Sequence, residues 1–588
     1  MGLEASLALA EEALAAEQQA RAAEQAAAAK VAAERDRLRD AYEALQVELE
    51  LLRRRLFVAK AERVDSTQLE FEFAEKLAEL DKLGDELAAK DAALAGEPSP
   101  GAEPATGRGA SKPHRRGRRD FSELDLPEER IELPDPTKEG DVERIGFEES
   151  SRLRWRRASM VRVVLARVKY REEPSATEEP SADATTSVTM AASAVTLPAM
   201  IYTTPMPPEI LPRAIGTPSL YAHIVADKLC DGLPLYRQED RFSRLGCRID
   251  RGTMSRWLED LGMIVGNTVV AAARDEAMRT AFCLSTDATG VLVQPIREGK
   301  KKKRQPCRRG HYFVQIADRD HVFFEYVPRE TSAAVSELFR GFGGYIQADA
   351  KSVYDILFRP PEERPPPDDG EPDLALRHEV GCWSHQRRKL WEATIAKDPT
   401  AREGLARVNH MFELERSWRG RPAAQKKRLR DARLRPHLDD FFAWASTEYE
   451  KVKGQRGLLR SALGYACRQK AALMRFLDDG RLRMDNNESE RELRRIATGR
   501  KAWLFVGSDD HAQAAGNLLS LIASARLHRL DPEAYLRDLF RVLPHWPRGR
   551  FLELAPRYWL ATRDRLDPAQ LEMELGPLTI PPPLPTPQ

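Results

Sequence analysis

Apolar spacing changes character several times along the chain. Within residues 1–95, Leu38, Tyr42, Leu45, Leu49, Leu52 and Leu56 alternate steps of four and three, and Phe73, Leu77, Leu80 and Leu87 continue in the same manner. That is the a/d seam of a coiled coil, and a stretch rich in Ala, Glu, Leu and Arg without proline suits long helices. The pattern predicts an N-terminal α-helical coiled coil that makes the chain a homo-oligomer; a helical hairpin folded on its own chain is the alternative. Residues 96–119 are rich in Pro, Gly and Ser and end in basic residues, the composition of a flexible basic linker. In residues 120–205, strand-like runs such as SMVRVVLARVKYRE precede the low-complexity stretch PSATEEPSADATTSVTMAAS. Helical spacing returns over 206–270 and predicts a helix-turn-helix-like DNA-binding region, with Thr253 capping a short amphipathic helix. Plain three-helix packing gives the same pattern.

From Ala281 the period shortens to that of strands. AFCLSTDATGVLVQP, HYFVQIA and HVFFEYV read as three antiparallel strands, the last two joined at Asp318-Arg319-Asp320. TSAAVSELFRGFGG reads as a helix with a Thr/Ser start and a glycine stop, and YIQAD as a short buried strand. A second helix start, a Pro-rich loop and the strand-like HEVGCWSH follow. The order β-β-β-α-β-α-β is that of an α/β RNase H-like domain with a mixed sheet. The chain is thereby predicted to be multidomain. The core spans 271–397 and 481–545, a helical insertion spans 398–480, and 546–588 forms a C-terminal Pro-rich tail.

Candidate chemistry lies in that core. Asp287 falls inside the first strand-like run and Asp349 ends the fourth, and a carboxylate embedded in a strand needs a partner or a cation to persist there. In DNNESERELRR, Asp485 and Glu488 read as a capping box, so Glu490 shares a helix face with Leu493 and Ala497 and turns inward. Three such carboxylates suit hard divalent cations, two Mg²⁺ with Mn²⁺ as a substitute, roughly 3.5–4 Å apart and acting on a phosphodiester.

Lys+Arg (93) and Asp+Glu (92) nearly cancel over the 588 residues, so any nucleic-acid binding rests on local clusters. Lys300, Lys301, Lys302, Lys303, Arg304, Arg308 and Arg309 form a basic tip between the first two strands, and Arg387, Arg388 and Lys389 follow CWSH. Residues 401–435 hold 11 basic against 4 acidic side chains. Arg491, Arg494, Arg495, Arg500 and Lys501 extend the charge along the Glu490 helix. These are the candidate contacts to double-stranded DNA. The six cysteines contain no C-x-x-C pair, and no N-terminal apolar run suits secretion or a membrane span, which predicts a cytoplasmic protein. Cys382 with His385 lacks the second pair that zinc requires, so Cys382 reads as a packing residue.

These residues carry a resemblance. LFVAKAERVDSTQLEFEFAE, LPLYRQEDRFSRLGCRIDRGTMSRWL, STDATGVLVQ, YIQADAKSVYD, GCWSHQRRKLWEA and DNNESERELRRIATGRKAWLFVGSDD resemble, in that order, the transposase of the insertion-sequence sixty-six family. The resemblance implies a DDE triad at Asp287, Asp349 and Glu490 and Mg²⁺-dependent cutting of transposon ends. It also implies joining of the 3′-OH to target DNA, with element-encoded helper proteins as further partners. Two departures stand out. The stretch from Asp135 to Met200 has no cysteine where the family carries a zinc-binding segment, so no structural zinc is predicted; and Ala350-Lys351 follows Asp349 where the family has glycine and an aromatic residue. A metal-dependent nuclease without strand transfer and a domesticated, non-catalytic DNA-binding scaffold are the rival readings.

Overall fold

A computed structural model describes residues 33–38, 126–140, 142–156, 159–172, 200–294, 306–364 and 373–585, with the single positions 41, 83 and 86. Of the coiled-coil seam, only Leu38 belongs to these, and it is helical; the linker and Lys300–Arg304 lie outside them. The chain divides into two compact units, one of residues 116–382 with 482–588 and one of residues 1–115 with 383–481.

In the first unit, β1 (Glu128–Leu133), β2 (Glu143–Arg156), β3 (Ser159–Glu172) and β4 (Met200–Thr203) form one sheet. β2 and β3 pair antiparallel from Glu143↔Arg171 to Arg156↔Ser159, and β1 runs parallel to β3. Val163 and Leu165 of β3 alternate into a small core with Leu133 and Leu575. Outside it, Arg162–Glu128, Arg167–Glu148 and Arg130–Glu149 cross the strands as ion pairs, which on a surface specify register more than they stabilise.

Helices α1 (Pro218–Leu229), α2 (Leu235–Arg244), α3 (Arg251–Val265) and α4 (Ala271–Thr280) follow. Thr253 is not the cap: Asp250 is, its carboxylate accepting from Gly252 N at 2.8 Å, because it lies one residue before the first turn. Nor is the helix short, since a π-helical turn at Gly266–Val270 carries α3 directly into α4. Met254, Trp257, Leu258 and Leu261 bury one face of α3, leaving Arg251, Arg256 and Asp260 exposed.

The second sheet has the order β7-β6-β5-β8-β9, with β5 (Cys283–Val293), β6 (Arg308–Ala317) and β7 (His321–Val327) antiparallel and β8 (Gly344–Gln347) and β9 (Arg377–Val380) parallel to β5. Between β7 and β8, α5 (Ser332–Leu338) is capped by Thr331 and ends before Gly341, whose φ is +77°. The expected second helix is a 3₁₀ stretch, Ser352–Phe358, and the last strand stops at Val380, so that CWSH opens a helix instead. Helices α6 (Asn487–Trp503) and α7 (Asp509–Leu527) cover the sheet. Alternation along β5 fixes the two faces: Leu284 belongs to a core with Phe313, Phe323 and α1 to α4, whereas Val291 and Val293 meet Leu493, Ile496 and Ala512 of α6 and α7. The edge strand β7 is closed by side chains of α7, Ser524 accepting from Val322 N at 2.9 Å and Ser520 from Phe324 N at 2.8 Å.

Helix α7 also crosses α3 closely. A Cβ on Gly262 would fall 2.3 Å from the backbone oxygen of Ala514, and Asn517 Nδ2 donates to Gly262 O at 3.0 Å. Gly262→Ala therefore forces two backbones apart. The expected result is a loss of roughly 1–3 kcal/mol, read as a lower denaturant midpoint with the same slope.

The Pro-rich end folds back. After α8 (Pro532–Val542), Trp546, Leu554, Trp559, Leu566 and Leu571 are buried, and α9 (Pro556–Arg563) packs beneath Tyr535. Arg541 donates to the carbonyls of Met573, Gly576 and Pro577 at 2.8, 3.1 and 3.1 Å, and the buried Glu574 pairs with Arg154 at 3.0 Å. Residues 546–585 are thus held by apolar anchors that the prolines mask in the sequence pattern.

The other unit, over its described residues 383–481, is helical: Trp383–Ile395, Pro399–Ser417, Ala423–Leu429, Arg435–Val452 and Leu458–Arg468 are its main helices. The buried Arg430 organises it, pairing with Glu415 at 2.6 Å and donating to the carbonyls of Phe476 and Asp479. One of the 11 basic residues counted above is therefore internal. Among the described residues no helix of either unit is long and apolar enough to cross a membrane.

Candidate active site

The register of β5 against β8 sets up the site. Cys283, Leu284 and Ser285 lie beside Tyr345, Ile346 and Gln347. Carried two residues further, the same offset brings Asp287 level with Asp349 on one face of the sheet. β8 itself ends at Gln347, so Asp349 stands just past the strand, in a turn closed by Lys351 N donating to Asp349 O at 2.8 Å. Asp287 shares its face with Val291 and Val293, the face covered by α6.

The charges of two further carboxylates, Asp349 and Glu490, are felt at Asp287. Asp287 Oδ1 accepts from Ala288 N at 2.7 Å. Burial pushes the Asp287 carboxyl up to about 6, the negative charges of Asp349 and Glu490 add to the rise, and the Ala288 N–H and Lys351 oppose it. Lys351 in turn lies 3.5 Å from Glu330, which is 3.7 Å from His311 on β6.

Glu490 is delivered by a clamp that the sequence pattern did not reveal. The cap of α6 is Asn486 rather than Asp485, and its side chain makes no capping bond. Asn486 is buried; its Nδ2 donates to Thr286 O at 2.7 Å, its backbone N–H to Cys382 Sγ at 3.3 Å, and its Oδ1 accepts from Ser489 Oγ at 2.8 Å. The helix start is thereby tied to β5 one residue before Asp287 and to the segment after β9. Asp485 instead accepts from Asn487 N at 3.1 Å, and Glu488 pairs with Arg483, so the capping box does not form. Glu490 is half-buried in the first turn, above the buried Leu493 and Ile496. The signal available beforehand was the Asn-Asn pair with Ser489 three residues after the first Asn, a polar cluster larger than a cap requires.

The basic residues divide. Arg491, Arg494 and Lys501 are exposed along α6, whereas Arg495 pairs with Glu492 at 3.0 Å and Arg500 donates to Gly290 O of β5. Arg308 pairs with Asp509, and the exposed Arg309 lies over Gly290. In the helical unit Arg388 is exposed, Arg387 donates to Asn409 at 2.6 Å, and the Lys389 ammonium stands 5.3 Å from the Tyr465 ring centroid.

Oxygen donors fit a hard divalent cation, because a cation beside Asp287 would offset the burial that raises its carboxyl and the like charges that add to the rise. Among the described residues no three His, Cys, Asp or Glu side chains already stand close enough to hold a metal ion, so the carboxylates share a field rather than a finished cage.

Comparison with known proteins gives three family matches: "Transposase IS66 family" over residues 213–514, more than half of the chain; "IS66 C-terminal element" over 520–557; and "Transposase C of IS166 homeodomain" over 44–131. Among curated proteins, the uncharacterized proteins y4qI and y4hP of Sinorhizobium fredii are each 27% identical, over 60% and 61% of this chain. The matches cover 64% and 65% of those relatives, so the chain spans less than two thirds of their length.

Proposed function

Since the chain belongs to the IS66 transposase family, we propose that it is a DDE transposase that cuts the ends of its own element and joins the freed 3′-OH to target DNA. Its β5–β9 sheet with α6 and α7 is an RNase H-like catalytic domain, and Asp287, Asp349 and Glu490 are its metal-binding carboxylates. One observation carries the reading: Asp287, half-buried on the central strand, feels the charges of both Asp349 and Glu490.

Mg²⁺, or Mn²⁺ in its place, supplies Lewis acidity and neutralises developing charge on the attacking and leaving oxygens when held by these three residues. The chain itself contributes position. Asn486 holds the Glu490 helix against β5, and the exposed Arg491, Arg494 and Lys501 supply phosphate contacts along it. In the first step water attacks phosphorus as the bond to the 3′ oxygen breaks, leaving a 3′-OH and a 5′-phosphate. In the second step that hydroxyl attacks a target phosphodiester, whose own 3′ oxygen leaves. No side chain serves as nucleophile. The partners are double-stranded DNA, as terminal inverted repeats and as target, and further copies of the chain joined through the N-terminal coiled coil. Element-encoded helper proteins complete the complex, which works in the bacterial cytoplasm. The homeodomain-like match over 44–131 supports DNA recognition by the N-terminal region.

The test is incubation of the purified protein with element-end DNA and Mg²⁺. Nicks at the element ends together with joined strand-transfer products are expected. Nicks without joined products would make it a nuclease, and tight end binding with neither product would make it a scaffold.

A further inference from the structure

Between the C-terminal end of α1 and the middle of α6 opens a cavity of about 480 Å³, lined by Lys228, Asp231, Arg494, Arg495, Gly499 and Trp503 among others. Its walls differ in chemistry. Three cations line it, Lys228 from α1 and Arg494 and Arg495 from α6, of which Arg495 is paired with Glu492 and Arg494 is exposed. Lys228 is half-buried, burial alone lowers its pKa to about 8, and among the described residues no carboxylate or carbonyl takes its ammonium group. Further along α6 the Trp503 indole lies across Gly499, where an added Cβ would come within 2.7 Å of Nε1, so the glycine leaves room for the ring. A desolvated amine without a counter-charge is costly unless a ligand supplies one.

We propose that this cavity holds a single unpaired nucleotide, with its base against Trp503 and its phosphate on Lys228 and Arg494. Aromatic stacking combined with a cationic groove is how proteins hold single strands irrespective of sequence, and the volume lies within the range of small-ligand pockets. Asp231 provides an acceptor for a base amino group. The source of the nucleotide rests on the DNA-facing reading of α6: a strand running along that helix presents such a nucleotide where the duplex frays. A free nucleotide shares the chemistry.

Full-length protein in EDTA, where no strand is cut, separates these. Anisotropy is read on a blunt duplex and on the same duplex carrying a three-nucleotide single-stranded end. Wild type is expected to bind the overhang roughly tenfold more tightly. Lys228→Met and Trp503→Leu should each bring that preference to within about twofold while blunt-duplex affinity is kept, and Arg494→Gln, at an exposed position, should lower it about threefold. Lys228→Met should also melt a few degrees higher than wild type, since it removes a desolvated charge; a merely structural lysine would lower both readings. A wild-type preference near one, or a preference unmoved by all three variants, overturns the proposal. Saturation by millimolar dAMP, lost in Lys228→Met, with no overhang preference, would overturn the strand as the source. Overhang preference in a protein that cuts nothing with Mg²⁺ would leave the cavity standing and sink the catalytic reading.

Discussion

Asp287→Asn is expected to lose at least about a thousandfold in end cleavage while melting higher than wild type in the absence of metal. Both effects have one cause. The carboxylate lies where burial and two like charges disfavour its ionised form, lifting its pKa to about 6. A group raised in the folded state contributes stability that is complete below its unfolded value, about 4, and that is lost as pH rises through 6. At pH 7 metal-free wild type therefore carries a penalty on the order of 2–3 kcal/mol, which asparagine removes. Melting temperatures from pH 4 to 7.5 in EDTA should fall for wild type and stay flatter for the variant, with Mg²⁺ restoring only wild type. Equal activity of the two proteins would end the assignment of Asp287, and equal pH profiles would show that its neighbours do not press on it. DNA binding measured without metal should be unchanged, since the exposed cations remain.

Asn486→Ala is expected to be nearly as damaging by a different route. Its Nδ2 is a buried partner of Thr286 O, and its Oδ1 receives the Ser489 hydroxyl. Truncation leaves both groups unsatisfied and opens a small void, at a cost of roughly 2–4 kcal/mol. It also frees the first turn of α6, so that Glu490 is no longer held against β5, and activity should fall about 10- to 100-fold at temperatures where circular dichroism still reports a folded chain. Asn486→Asp, which keeps the volume but cannot donate to Thr286 O, should lose activity similarly. Full activity in Asn486→Asp would show that this hydrogen bond does not position the helix.

Elements whose signal is local were legible in the sequence. The alternating runs of β5 to β7, the Thr331 cap and the glycine stop of α5 announce themselves because period, cap and breaker lie within a few residues of one another. What escaped depends on distant partners. Asn486 looked incidental beside a plausible Asp485/Glu488 capping box, since its real partners, Thr286 and Cys382, are about two hundred and one hundred residues away in sequence. Asp250 lost to Thr253 because both are good caps and only the backbone decides which precedes the first turn. The C-terminal segment read as a tail because prolines interrupt the period of the anchors Trp546, Trp559 and Leu571. Within the site, the candidate carboxylates were picked out from sequence context alone, but where each stands could not be: Asp287 lies within β5, while Asp349 stands beyond the end of β8.

The order of the segments also has a consequence in time. Asp287 and Asp349 precede the helical unit, and Glu490 with its clamp follows it. A nascent chain that has emerged only as far as Arg481 has two of the three carboxylates and no α6 to close over them. Synthesis of roughly a hundred further residues at 5–20 per second therefore separates the making of the strands from the making of a competent centre. On the proposed function, a truncated product ending within that interval would keep the basic residues of the first half yet be unable to cut, and would compete with its full-length siblings for the same DNA.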